Sequence, residues 1–441
     1  MVSMNIWICM GDTEMAKNKS KKMTKNETLT KKLQFSLLGF TLKHNNEIGN
    51  DVKDVKDFVT FLQELLKARK AGWRGLVMTP PGSFLERFIA SFDKYSDFPL
   101  ELPFFIFLHM LSGELLQRGI TLEYDKKLIH PQIWSVLIAA SGGGKTTTIN
   151  AIRDNFHLSS PWDATGIASH ARWMQDLAEN NNKLVVVDEW WAEKRKMAPG
   201  KPLEELERDM MLIRTHETVG HHSAKGVDVT IEHPCISYLG VTTEKMLENS
   251  LSIDDFYSGF CQRIRFIFAK REKDIRPARY IDLQYLVDEW RLIEQKIKYT
   301  HYRSHPRAID AIEQAFNFFR RSYDRMDESY FKRIIDEAQP YALLYHIILG
   351  KGDNDTVDLE DYGWAGRLLG VLFSDAANFL KDNMAGDLEK KLQSVQRVYE
   401  KCMSEGRTFT AREVVRHVYA IKTVAEAKSL IAMLYSDDNN T

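Results

Sequence analysis

The chain has 441 residues, with 60 basic against 61 acidic side chains, and is 44% hydrophobic and 27% charged. That composition excludes a wholly disordered chain, a collagen-like fibre and a coiled-coil rod, and the length calls for two or three domains. A formal net charge of −1 argues against a binder held to nucleic acid by bulk charge, while leaving room for a local basic patch.

Cys9, Cys235, Cys261 and Cys402 are scattered and form no CxxC pair. Such usage belongs to a reducing compartment, so a cytoplasmic location is expected. There is no apolar run of the roughly 20 residues a membrane span needs. The nearest, Leu102 to Leu116, carries His109 and Glu114 and reads as a buried helix, so no membrane partner is expected. The apolar N-terminal run has no basic segment before it, so no secretory leader is expected.

In chain order, residues 1–34 read as a disordered basic tail. Its lysine-rich tract, Met15 to Lys32, is either a solvated tail or an arm along phosphate backbones. Residues 35–125 read as a helical N-terminal region. Val52, Val55, Phe58, Val59, Leu62, Leu65 and Leu66 recur at helical spacing, and residues 84–118 read as two helices separated near Pro99 to Pro103.

The pattern changes at about residue 126. Ile133 to Ala140, Leu184 to Val187, Cys235 to Val241 and Ile264 to Ala269 are continuous apolar runs. Helical segments lie between them, notably His170 to Glu179 and Pro202 to Arg214. Strands apolar on both faces, alternating with helices, predict a parallel α/β core over residues 126–281. Residues 282–404 read as a region dominated by amphipathic helical patterns. Residues 405–441 read as a truncated winged-helix-like module, for which DNA contact, protein contact and a purely structural role stay open.

The segment Ala139-Ala-Ser-Gly-Gly-Gly-Lys-Thr146 fits GxxxxGK[ST] except at its first position. Gly142, Gly143 and Gly144 can turn successive backbone N–H groups inward around a phosphate, where the next helix also presents its positive end. Ala139, Ala140, Ser141, the three glycines, Lys145, Thr146 and Thr147 are therefore the expected nucleotide-binding residues. Lys145 would reach the β- and γ-phosphates of ATP, and the Thr146 hydroxyl would ligate Mg²⁺. About 40 residues on, Leu184-Val-Val-Val-Asp-Glu189 ends an apolar strand in two carboxylates. Asp188 is expected in the Mg²⁺ shell and Glu189 at the attacking water, an arrangement for hydrolysis.

Thr242 and Thr243, at the tip of the third apolar run, either sense the γ-phosphate or cap the helix that starts near Glu244. Glu217 to Glu232 reads as a hairpin turning at Ala224-Lys225-Gly226. It is either a surface hairpin or an insertion like those of ring helicases that grip nucleic acid. His221, His222 and Lys225 would then be the contacts. With no third ligand nearby in sequence, the two histidines are poor evidence for a metal. Arg263 and Arg265, at alternate positions of the fourth run, would share one strand face. They serve either a transition-state charge, in cis or on a neighbouring subunit, or structural salt bridges.

The runs HPQIWSVLIAASGGGKTTT, LVVVDEWW, EHPCISYLGVTTEKM and YSGFCQRIRFIFA, in that order, resemble the P-loop family catalogued as domain of unknown function 3987. The resemblance covers about residues 80–300. It implies a RecA/AAA-like P-loop NTPase core from a phage, plasmid or integrated element. Lys145, Thr146, Asp188, Glu189 and Arg263 match the family's functional positions. The implied activity is Mg²⁺-ATP hydrolysis by a homo-oligomeric ring, such as a hexamer, moving on single-stranded DNA beside a separate primase. The alternative is an ATP-gated switch or loader in transposition or phage defence. No primase metal cluster and no RNase-H-like acidic triad can be assembled from the sequence.

Overall fold

The computed structural model describes residues 79–80, 82–140, 144–221, 228–248, 259–269, 279–323, 326–384, 387–418 and 421–435. The lysine tract, the helix expected over 51–71, and Ser141, Gly142, Gly143, His222 and Lys225 lie outside these residues.

Helix α1 (Phe84–Tyr95) starts at Ser83, whose hydroxyl accepts the Glu86 N–H, and buries Phe84, Phe88 and Phe92. Helix α2 (Glu101–Gln117) is apolar almost all round and correspondingly buried almost all round. Pro103 sits in its first turn, where no N–H is required of it.

Strands β1 (Thr121–Tyr124) and β2 (Lys127–Ile129) then form an antiparallel hairpin. Its two turn residues, Asp125 and Lys126, both have positive φ, 47° and 62°, which matches the right-handed strand twist. The expected helical region, residues 35–125, takes in β1, because the turn carries none of the Asn-Gly or Asp-Gly pairs that announce such a hairpin.

Strand β3 (Trp134–Ala139) is buried at every residue. Helix α3 (Lys145–Phe156) follows and anchors its far end by Phe156, which meets Phe84, Phe88, Phe107 and Trp290 in one aromatic cluster. Next come β4 (Trp162–Asp163), α4 (His170–Glu179), β5 (Leu184–Val187), α5 (Trp190–Arg195) and α6 (Leu206–Arg214). Strands β6 (Val219–His221) and β7 (Val229–Ile231) pair antiparallel, as the sequence reading expects. Strand β8 (Ser237–Thr242), α7 (Glu244–Glu248) and β9 (Arg265–Ala269) complete the core.

The main sheet has the order β4-β5-β8-β3-β9, with every neighbouring pair parallel. The C-terminal ends of its strands therefore share one edge, where α/β proteins hold ligands. Strand β8 separates β3 from β5. Helix α2 crosses β5, β8 and β9, and comes so close at Gly113 that a Cβ there would stand 2.8 Å from the Leu184 Cβ.

Beyond the core lie α8 (Val287–Gln295), β10 (His301–Ser304), α9 (Ala308–Ser322), α10 (Glu328–Ile335), α11 (Ala338–Ile348), β11 (Thr356–Val357) and α12 (Leu359–Met384). Strand β10 pairs parallel with β1, giving a second sheet of order β11-β10-β1-β2. Residues 282–404 are thus mostly helical, as expected, and also hold two short strands. Strands of four and two residues, rich in polar side chains, leave no period for a reader of sequence to find.

Residues Asn378–Thr441 form a separate compact unit. It holds α13 (Asp387–Ser404), α14 (Ala411–His417) and α15 (Val424–Tyr435) around Val395, Val398, Cys402, Val414, Ile421 and Leu430. The unit begins well before residue 405 because α13 supplies Val395, Val398 and Cys402 to that core. Among the described residues no helix is long and apolar enough to cross a membrane, and Cys235, Cys261 and Cys402 are buried and form no disulfide.

Candidate functional site

At the shared C-terminal edge of the main sheet is a cavity of about 600 Å³. Its size falls within the ordinary range for a ligand site. Ala139 and Ala140 end β3, and Gly144, Lys145, Thr146 and Thr147 bring the wall into the first turn of α3. Asp188 and Glu189 contribute from the end of β5, and Thr242 and Thr243 from the end of β8. Residues that the sequence singles out thus line this one cavity, and Lys145 and Asp188, about 40 positions apart in the chain, meet there.

Gly144 is the N-cap of α3 and has φ 88°. The ring of Phe98 lies so close that a Cβ at position 144 would stand 2.2 Å from its Cε2. Both the backbone and the space at this position call for glycine. The Gly144 carbonyl then accepts the Thr148 N–H and hydroxyl, each at 2.8 Å, closing the first turn. The ammonium of Lys145 pairs with the carboxylate of Asp188, with Lys145 14% and Asp188 53% exposed.

The Asp188 N–H donates to the Thr165 hydroxyl at 2.8 Å, so the short edge strand β4 leads into a loop that steadies the acid. Glu189 has φ 49°, a left-handed conformation that costs a non-glycine residue about 1 kcal/mol or more. It turns the chain sharply from β5 into α5, whose Trp190 packs on Gly240 of β8; a Cβ at 240 would stand 2.5 Å from the Trp190 ring. Thr243 lines the cavity, and its carbonyl accepts the N–H groups of Met246 and Leu247 at 3.1 Å, so its backbone starts α7 whatever its hydroxyl does.

The lining also includes the apolar side chains of Phe98, Leu102, Trp191 and Met246. The sequence reading misses these four. Phe98 and Leu102 lie some 40 residues before the glycine-rich loop, and only the Trp beside Asp-Glu offered a local signal.

Three expected site residues are elsewhere. Arg263 ends a 3₁₀ turn, Cys261–Arg263, and Arg265 opens β9, so the two do not share a strand face. Both stand at the N-terminal edge of the sheet. The cavity edge is four residue steps along β9, or about 13 Å away. Arg265 is 2% exposed, 3.7 Å from the buried Glu337 carboxylate and stacked over Tyr330 at 5.0 Å. It serves the structural alternative.

Arg263 donates to the Gly259 carbonyl at 2.7 Å. Burial, with Arg333 and Arg214 nearby, holds its pKa below the usual arginine value. His221 is turned inward, with its Nδ1 3.1 Å from that of His170, rather than presented as a free contact.

The chain matches no family model and no curated protein.

Proposed function

We propose that the chain is a P-loop ATPase of a mobile genetic element that binds Mg²⁺-ATP in this cavity and acts in a ring on single-stranded DNA, as a helicase or translocase. The observation that carries the reading is the Lys145–Asp188 ion pair across the C-terminal edge of a parallel sheet, at the start of the helix that follows the glycine-rich loop. A lysine, a helix start and two carboxylates converge there with these apolar side chains, which suits a molecule with a charged end and a flat apolar end.

The donor set also fits Mg²⁺. Asp188 and Thr146 offer oxygen ligands, and the ammonium of Lys145 already stands as a cation beside Asp188. When bound, Mg²⁺ would neutralise phosphate charge. Lys145 would then exchange Asp188 for a phosphate oxygen, Glu189 would take a proton from water, and Phe98 and Met246 would cover the base.

A second reading, the ATP-gated switch or loader, draws on a different fact. Among the described residues that line the cavity there is no arginine. A site that must borrow one from outside hydrolyses slowly until a partner supplies it.

Turnover of ATP by the full chain, with and without single-stranded DNA, tests both. The motor reading expects many-fold stimulation by DNA and a loss of about 100-fold or more in Lys145→Ala. Slow turnover indifferent to DNA supports the switch. Failure of the intact chain to bind ATP at all overturns both.

A further inference from the structure

Away from the cavity, side chains from three elements converge where β6 begins its hairpin. His170 opens α4, Glu205 immediately precedes α6, and His221 closes β6. Nδ1 of His170 lies 3.1 Å from Nδ1 of His221 and 3.2 Å from a carboxylate oxygen of Glu205. The other nitrogen of the His170 ring, Nε2, is 2.8 Å from Oδ2 of Asp209, which is 1% exposed.

The scaffold holds this arrangement firmly. Ser169 caps α4 by accepting the Arg172 N–H, and the His170 N–H donates to the Pro202 carbonyl at 3.1 Å, fixing α4 to the segment that carries Glu205.

Asp209 can only accept, so Nε2–H of His170 donates to it, and Nδ1 of that tautomer turns its lone pair towards a second imidazole nitrogen and a carboxylate oxygen. A proton among these three atoms satisfies one pair and leaves the third facing a lone pair. A divalent cation satisfies all three. The dimensions agree as well. Tetrahedral zinc with bonds of about 2.0–2.1 Å has ligand-to-ligand edges of about 3.3–3.4 Å. The two edges at His170 are 3.1 and 3.2 Å. A buried carboxylate behind the outer nitrogen is also the usual support of a metal-bound histidine.

We propose that His170, His221 and Glu205 bind one divalent transition-metal ion, with Zn²⁺ the best match, and that Asp209 positions His170 for it. Imidazole and carboxylate donors suit this class of metal. Three protein ligands leave a fourth position on the outer side, where the Glu205 side chain is 58% exposed. The ion fastens the first strand of the hairpin to the starts of α4 and α6.

A second group, His130, His216 and Cys235, is also compact, but its two imidazoles pack against each other at a 41° tilt, 4.3 Å between ring centres, and the Arg214 cation acts on Cys235. It is the natural control.

The full chain, stripped with a chelator, is titrated with Zn²⁺ against a chromophoric chelator and separately with Co²⁺. The expected result is one high-affinity ion per chain, with strong visible Co²⁺ bands of a four- or five-coordinate site. His221→Ala at a half-buried position and Glu205→Ala at an exposed one each weaken binding by about 100-fold or more, and Asp209→Asn by about 10–100-fold. Cys235→Ser binds as the parent does. Circular dichroism of each variant establishes that it is folded. The proposal fails if the parent binds no stoichiometric Zn²⁺. It fails equally if folded His221→Ala and Glu205→Ala both bind unchanged, or if Cys235→Ser is the variant that loses the ion.

Discussion

Gly144 combines two demands that rarely coincide, a φ of 88° and a ring edge where a Cβ would stand. The left-handed backbone alone costs an alanine about 1–2 kcal/mol, or roughly tenfold in any binding that uses the loop conformation. Gly144→Ala is therefore expected to weaken binding of a non-hydrolysable ATP analogue by tenfold or more. In a Phe98→Ala background, which relieves the collision and not the φ, the further loss caused by Gly144→Ala should be smaller but not zero; an undiminished or a vanished loss shows that one of the two demands is not at work.

Arg265 makes the contrasting case. Burial raises the pKa of the Glu337 carboxyl, against the opposing pull of Arg214 and Arg265, and Arg265→Ala removes one of its two cations. The expected cost is about 3–5 kcal/mol of stability, read by urea denaturation. Unchanged stability with lost ATP turnover would return Arg265 to the catalytic role that its place in the sequence proposed.

At the scale of elements, the sheet edge depends on how closely α2 lies against β5. At Gly113 an added Cβ would meet the Leu184 Cβ at 2.8 Å and its backbone nitrogen at 2.9 Å, and backbone cannot swing aside as a side-chain tip can. Gly113→Ala is expected to cost about 1–3 kcal/mol despite the better helix propensity of alanine, because it pushes α2 off the strand that ends in Asp188. A stabilised variant would mean that the helix slides freely.

The elements also differ in how legible they are. β3, β5, β8 and β9 are read from sequence because strands buried on both faces must be apolar without interruption. β4 has two residues, and the β1–β2 turn uses Asp125 and Lys126 where the usual signal is glycine. Nothing short-range marks either. The site divides in the same way. Lys145 and Asp188 belong to local motifs, whereas Phe98, Met246 and the meeting of His170, Glu205 and His221 are products of tertiary packing alone. Alternate spacing sets Arg263 and Arg265 on one face only if the strand is already under way at Arg263, whereas a 3₁₀ turn delays the strand to residue 265.

At the scale of the larger unit, Met1–Ala377, several histidines buried in its interior tie stability to pH. His109 lies fully buried in α2, its Nδ1–H bonded to the Phe105 carbonyl at 2.7 Å, and burial pushes its pKa down to about 4. Burial, with the neighbouring His130 and Arg214, pushes His216 down to about 4 as well. Groups lowered in the folded state bind protons more readily when unfolded, so their effect on stability is absent above about pH 6.5 and grows as pH falls towards 4. A shift of this size is worth about 3 kcal/mol per group at most.

Asp361 governs a lower window. Burial alone would raise its pKa, but Lys351 and His346 outweigh that and hold it at about 2, so the stabilisation it contributes is lost between about pH 4 and pH 2. His346 has the opposite sign. Burial lowers its pKa, Asp361 and the Asn354 carbonyl more than offset this, and its contribution fades as pH rises above the ordinary histidine range. Urea unfolding of the full chain at pH 7, 5.5 and 4.5 should therefore show stability falling on the acid side well before carboxylates titrate. His109→Leu, which fills the same buried space without a titrating group, should flatten that fall by about half, with His216 supplying the remainder. If the variant loses stability with pH as steeply as the parent, His109 is protonated in the folded chain and some polar group must reach its outer nitrogen.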